Sequence, residues 1–239
     1  MNHTAPANPA TQGAQDERLA ARAFVYRALQ AVTAGMPTKQ NAEVVLSDVF
    51  AQAFEILQAP FDANEQHSLR EAYEADQAGF LDQAGVNYTK LFYGPQKLVA
   101  PPWESSYVVT GRKIFQANTL DVRRAYRRQG LEPRALNKVP DDHISIELGF
   151  MAELADRMAL GEAESSAQGA QTSEFMAAVS ASASFLDSHL GKWAADYAND
   201  LSASGAGSFY PFVGSCIAAL VEADRALFVA TKTAQAASA

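Results

Sequence analysis

Side chains that could do chemistry gather in two places along the chain. In NYTKLFYGPQKLVAPPWESSY, residues 87–107, six large apolar or aromatic groups (Tyr88, Leu91, Phe92, Tyr93, Trp103 and Tyr107) crowd around Gly94, Pro95, Pro101 and Pro102. Tyr88, Leu91 and Phe92 share one helix face by their i, i+3, i+4 spacing, and the Gly-Pro and Pro-Pro breaks hold Trp103 near the end of that face. Such rings either fill a core or line a preformed apolar groove, where Trp and Tyr offer contact area at small entropic cost. In VPDDHISIELGFMAEL, residues 139–154, Asp141 or Asp142 can cap the helix that starts after Pro140. His143 and Glu147 stand one turn apart and can pair, while Ile144, Leu148, Met151 and Ala155 form a buried stripe. As metal ligands His143 and Glu147 lack the further partners that Zn²⁺ requires.

Catalytic signatures are missing elsewhere: no Walker loop, no G-x-G-x-x-G after a strand, no nucleophile elbow and no H-E-x-x-H. The single cysteine, Cys216, lies in the apolar run Phe212–Val221 and reads as a small core residue, so no disulfide framework and no multi-cysteine metal site is available. His3, His67 and His189 sit singly. We therefore expect a protein that is not an enzyme and carries no cofactor. Arg127-Arg128 lies mid-chain inside a helical pattern, not before an apolar N-terminal stretch, and is no export signal.

Composition narrows the partners. The 239 residues carry a net charge of -8, a pI near 5.0, 48% hydrophobic and 10% aromatic content, enough for a buried core and unsuited to nucleic acid, whose phosphates need clustered positive potential. One segment departs from that average: residues 112–138 hold eight Lys or Arg against Asp121 and Glu132, leaving about -14 over the rest. Such a run is a solvated helix face around Tyr126 or a docking patch for a client. The start, MNHTAPANPATQGAQDE, has neither a basic nor an apolar region of a secretory signal and reads as a disordered tail over residues 1–15. No stretch approaches the ~18 apolar residues of a spanning helix, so the expectation is a cytoplasmic protein without stable membrane insertion.

The elements that must position these groups are helices, because apolar residues recur at spacings of three and four nearly everywhere. The fold class is all-α, a bundle of about nine to eleven helices. The spacing predicts helices over 16–34, 41–58 (Val45, Val49, Phe54 and Leu57 inward), 62–78 and 82–92. Rigid connection through 93–102 follows, then helical pattern at 103–109 and 116–129, closed by Gly130. A polar link covers 130–140, a long helix 141–160, a low-complexity loop 161–173, and helices over 174–190, 192–201 and 208–231 complete the chain. In domain terms this is an N-terminal helical part, 16–129, and a C-terminal part, 141–239, packed as one unit about the 130–140 link.

Taken together, Leu91-Phe92, Gly94-Pro95, Pro102-Trp103-Glu104-Ser105 and Tyr107, then Pro140, Asp142-His143, Glu147 and Phe150, then FLDSHLGKWAADYANDL with Phe209-Tyr210, resemble the TorD/DmsD/NarJ family of redox-enzyme maturation chaperones over about residues 18–230. The resemblance implies an all-helical, TorD-like chaperone that binds the twin-arginine signal peptide, and often the body, of a molybdopterin-containing oxidoreductase subunit and delays export until the cofactor is inserted. By position, Leu91, Phe92, Pro102, Trp103, Asp142 and His143 would line its peptide-binding surface, with Tyr88 where some members carry tryptophan and Tyr26 as the first-helix aromatic. The 130–140 link corresponds to the family's hinge, reported to permit domain-swapped dimers, and is longer and more basic here; monomer and dimer are both compatible with it. A twin-arginine peptide presents guanidinium groups and then an apolar stretch, so its receptor needs carboxylates beside an apolar groove, and Asp142, Glu104 and Glu147 are available. A rival reading is an assembly factor that recognises the folded enzyme through the basic Arg123–Arg128 face without binding the signal peptide; a small-molecule-binding helical enzyme is a third. On the leading reading, the 87–107 segment and the start of the Asp141 helix form one surface.

Overall fold

Short polar side chains decide where the helices begin. The computed structural model describes residues 9–93, 98–108, 117–133, 139–168 and 172–237. After α1 (Pro9–Thr33), Thr38 caps α2 (Lys39–Val45), Ser47 caps α3 (Asp48–Leu57), Asp62 caps α4 (Ala63–Ala75) and Asp76 caps α5 (Gln77–Phe92), each accepting a bond from an otherwise unpaired backbone N–H. The short α6 (Ser105–Val108) and α7 (Ala117–Arg128) follow, then α8 (Ile144–Gln168), α9 (Ser173–Ser188), a 3₁₀ turn at Leu190–Lys192, α10 (Ala194–Ala203) and α11 (Phe209–Ala237). The protein is all-α, as the apolar spacing predicts. Gly130, at φ +68, ends α7 with Gly130 N and Leu131 N donating back to Arg127 O and Tyr126 O.

Four boundaries depart from expectation, for local reasons. The single helix over 41–58 is two, because the Ser47 hydroxyl donates to Val44 O and accepts from Phe50 N, ending one helix and opening the next. That re-phasing leaves Val49 61% exposed while Val45, Phe54 and Leu57 stay buried. The break between the next two helices sits at Asp76, which ends α4 and caps α5. Helix α1 starts at Pro9, so residues 9–15 of the expected tail are helical; residues 1–8 lie outside the described residues. The loop expected over 161–173 is helical to Gln168, since Ala and Glu favour helix whatever the sequence complexity. Gly161 also lets α9 approach: a Cβ there would stand 3.0 Å from Phe175 Cβ and from Thr172 Oγ1. Gly94-Pro95 and residues 134–138 of the link lie outside the described residues.

Helix α1 packs along α8, α9 covers another side of α8, and α10 and α11 pack together. A polar clasp ties α1 to α11 inside this core. Arg22 Nε stands 2.6 Å from Asp224 Oδ2, Tyr26 OH donates to the same oxygen at 2.8 Å, and the Arg22 guanidinium lies over the rings of Tyr26 and Phe228. All three polar residues are buried, and burial followed by the Asp224 charge raises the Tyr26 phenol well above its ordinary pKa. Among the described residues no helix is long and apolar enough to cross a membrane.

This clasp sets the first prediction. Asp224→Ala strands a buried guanidinium and is expected to cost about 3–5 kcal/mol, whereas Tyr26→Phe removes one bond to a charged acceptor and costs about 1.5–3 kcal/mol. Chemical denaturation checks both; equal losses would show that the Arg22 charge is compensated elsewhere.

Candidate functional site

Two prolines prepare the site. Pro101 and Pro102 favour extended backbone on their N-terminal side, and Pro102 O accepts from Ile144 N at 2.9 Å while Glu104 N donates to Asp142 O at 2.9 Å. These bonds make an antiparallel bridge between Trp103 and His143, the one strand-like pairing among the described residues. The two rings meet edge to face, centroids 6.0 Å apart. The 87–107 segment and the start of α8 are thus brought into one surface.

Below the bridge lies a layer of fully buried carboxyl groups. Asp142 accepts from Ser105 N at 2.9 Å and Thr119 Oγ1 at 3.1 Å, so it holds α6 and α7 and caps nothing on its own helix. His143 fills that role: its Nδ1 accepts from Ser145 N and stands 2.8 Å from Ser145 Oγ. Asp141 pairs with Arg123 Nε, and its carbonyl accepts from Tyr126 OH at 2.9 Å. Glu104 lies 3.2 Å from Nδ1 of His189, which is therefore not the isolated histidine its sequence setting suggests. Glu147 turns away from His143 and accepts from Trp193 Nε1 at 3.1 Å, and Tyr107 stacks on Trp193. Burial, with Glu104 next in effect, raises Glu147 well above the usual carboxylate range, so it is held protonated.

Above the bridge opens a cavity of about 810 Å³. Arg27 and Gln30 of α1, with Ala34 just past its end, form one wall; Ile146, Gly149, Phe150 and Glu153 form its α8 floor. Tyr88, Phe92 and Tyr93 close one end, beside Pro102, Trp103 and His143, and residues 131–133 and 139–140 close the other. Tyr210 of α11 backs the aromatic end, 5.6 Å from Phe92 and 6.0 Å from Tyr88. Burial, with Tyr93 adding to it, pushes the Tyr88 phenol up to about 12, and burial pushes His143 down to about 4, so both are neutral near pH 7.

Tyr88, Phe92, Pro102, Trp103 and His143 line this groove, as the sequence suggests. Leu91, one helical step from Phe92, points into the core, and Glu104, Asp142 and Glu147 lie sealed beneath the floor. Tyr26 belongs to the α1–α11 clasp. The carboxylates that do line the groove are Glu132 and Glu153, with Arg127 on the first and Arg27 and Arg157 on the second. Sequence reasoning missed Arg27, Gln30, Gly149 and Glu153; their helical spacing was visible, but nothing in it marks an open face. Of the basic helix, Arg123, Arg124 and Arg127 are paired with Asp141, Asp121 and Glu132.

The buried carboxyls can be tested by pH. The folded protein keeps a proton on Glu147 that the unfolded chain releases above about 4.5, so this group makes stability fall as pH rises past that value. Glu147→Gln keeps an acceptor for Trp193 and is expected to gain stability relative to the parent as pH rises past about 4.5; parallel thermal-melt profiles would show that Glu147 is ionised. Asp142→Ala, which strands two donors, is expected to cost about 3 kcal/mol.

A family model described as "Nitrate reductase delta subunit" matches residues 55–199. Over 99 residues the chain is 29% identical to the Tat proofreading chaperone DmsD of Salmonella typhi, covering 41% of this chain and 47% of that protein. The same figures hold for the proteins of that name from Salmonella typhimurium (strain LT2) and Salmonella paratyphi A. The chain thus spans about half the length of these curated relatives. The family match covers more than half of the chain and carries the aromatic end, the bridge and the carboxyl layer; this protein belongs to the nitrate reductase delta subunit family, that of the TorD/DmsD/NarJ chaperones its motifs resemble.

Proposed function

We propose that the protein is a maturation chaperone that holds the twin-arginine signal peptide of a molybdopterin-containing oxidoreductase subunit in the α1–α8 groove, keeping the precursor from export until its cofactor is inserted. No bond is made or broken. The observation that carries this reading is the groove itself: an open cavity of about 810 Å³ with an aromatic end and glutamates on its walls, in a family whose relatives include Tat proofreading chaperones. A recess of that size with an aromatic end, on a protein with a well-filled core, supports a ligand-binding role.

Magnitudes rank the contacts. Glu132 and Glu153 are 53% and 40% exposed and already hold arginines of this chain, so an incoming guanidinium exchanges one screened ion pair for another, a gain of about 0–1 kcal/mol. Burial of an apolar segment against Trp103, Phe92 and Tyr93 yields about 25 cal/mol per Å². Affinity therefore comes from the apolar stretch, and the arginines contribute orientation. The assembly-factor reading finds less support, since Arg123 of the basic face is tied to the buried Asp141, and Arg124 and Arg127 would first have to leave Asp121 and Glu132.

Trp103→Ala is expected to weaken binding of a twin-arginine peptide at least tenfold with helical content unchanged, while Glu153→Gln changes it less than about threefold. Calorimetric titration of folded variants decides: normal binding by Trp103→Ala sinks the groove assignment. Affinity capture with the full chain under expressing conditions should recover a molybdoenzyme precursor, and recovery of none would count against the client class.

A further inference from the structure

Three polar groups in the groove have no partner among the described residues. The first is the Gln30 carboxamide, which lies across Gly149: a Cβ at 149 would come within 2.5 Å of Gln30 Nε2 and 3.0 Å of its Cδ. Only glycine there lets the amide rest on the α8 surface. The second is Trp103 Nε1, buried and without a hydrogen-bond acceptor. The third is the Nε2 edge of His143, whose Nδ1 is already held by Ser145. Because Ser145 N donates to its Nδ1 at 3.2 Å, that nitrogen is an acceptor, and the neutral ring, its pKa pushed down to about 4 by burial, carries its proton on Nε2.

These groups constrain what fills the cavity. Covering a donor without satisfying it weakens binding, so an occupant that sits over Gln30, Trp103 and His143 must bring acceptors. Glu132 and Glu153 on the same walls disfavour an anionic occupant. An apolar peptide segment has no polar side chains, and the acceptors it does have are its main-chain carbonyls. Inside a continuous helix those carbonyls are already paired, so they become available only where the segment is extended or at a helix end.

Resting on the peptide-binding reading above, we propose that the groove holds its segment by the main chain: the Gln30 carboxamide, seated on Gly149, bonds a peptide group through both its N–H and its C=O, while Trp103 Nε1–H and His143 Nε2–H bond carbonyl oxygens at the aromatic end. The stretch over Gln30 is then extended. Recognition of this kind tolerates many apolar sequences, and side-chain selectivity falls to the aromatic end.

The probe is a synthetic peptide with Arg-Arg followed by an uncharged Leu/Ala-rich stretch, titrated against the full chain. Gly149→Ala displaces the Gln30 amide while improving helix propensity, so the expected result is an unchanged or higher melting temperature with binding weakened about fivefold. Gln30→Leu should weaken binding similarly and make the Gly149→Ala effect disappear in the double variant. Trp103→Phe keeps a ring and loses the N–H, with a further loss of about fivefold expected. The chain has two tryptophans, and Trp193 already donates to Glu147; peptide should move the Trp103 indole ¹H–¹⁵N signal downfield and leave that of Trp193 in place. If Gly149→Ala and Trp103→Phe bind like the parent while Trp103→Ala does not, main-chain recognition is overturned and the groove stands. If the parent and Trp103→Ala bind the peptide alike, or neither binds it, the groove reading itself fails and this inference with it.

Discussion

The Asp142 carboxylate accepts from the Ser105 N–H and the Thr119 hydroxyl, while its own backbone carbonyl accepts from Glu104 N and, two residues on, Ile144 N donates to Pro102 O. Through this one residue α6, α7 and the start of α8 are held in register. Trp103 and His143 occupy facing positions of the bridge that results, so their distance is set by backbone geometry and not by the packing of two mobile rings. Without the pairing, the Pro-rich segment would have no fixed relation to α8, and the groove would lose its closed end.

The cost of this arrangement is a layer of buried acids. Asp141, Asp142, Glu104 and Glu147 are all sealed from solvent, which would be strongly unfavourable for uncompensated charges. Each has a different answer: Arg123 for Asp141, two donors for Asp142, His189 for Glu104, and protonation plus the Trp193 indole for Glu147. The partners come from α6, α7 and the connection between α9 and α10, so the layer knits both halves of the chain beneath the groove. Residues that look like a guanidinium receptor in sequence therefore serve as its foundation.

The groove's two walls differ in kind. The aromatic end is close-packed, with Tyr88, Phe92 and Tyr210 in mutual ring contact, while the α1 wall carries Arg27 and Gln30 on a helix clamped to α11 by the Arg22–Asp224 pair. One end suits apolar contact and the other offers exchangeable charge and hydrogen bonds.

Read alone, the sequence determined the helical class and the capping glycine at 130, because apolar spacing and glycine at positive φ are local properties, whereas the joining of the 87–107 and 139–154 segments was an expectation drawn from the family likeness. It also marked Tyr88, Phe92, Pro102, Trp103 and His143 as a group, through their crowding and the family likeness. Burial of individual side chains was another matter. Leu91 and Phe92 are neighbours in one motif, yet the rotation of α5 against α11 sends the first into the core and the second to the groove. Nothing local distinguishes an acid that meets solvent from one sealed under a bridge, so Glu104, Asp142 and Glu147 could be placed only by tertiary structure. The same holds for Gln30 on Gly149 and for the α1 wall, since an open face is the absence of a neighbour, and which neighbours a helix lacks is decided by how all the others pack.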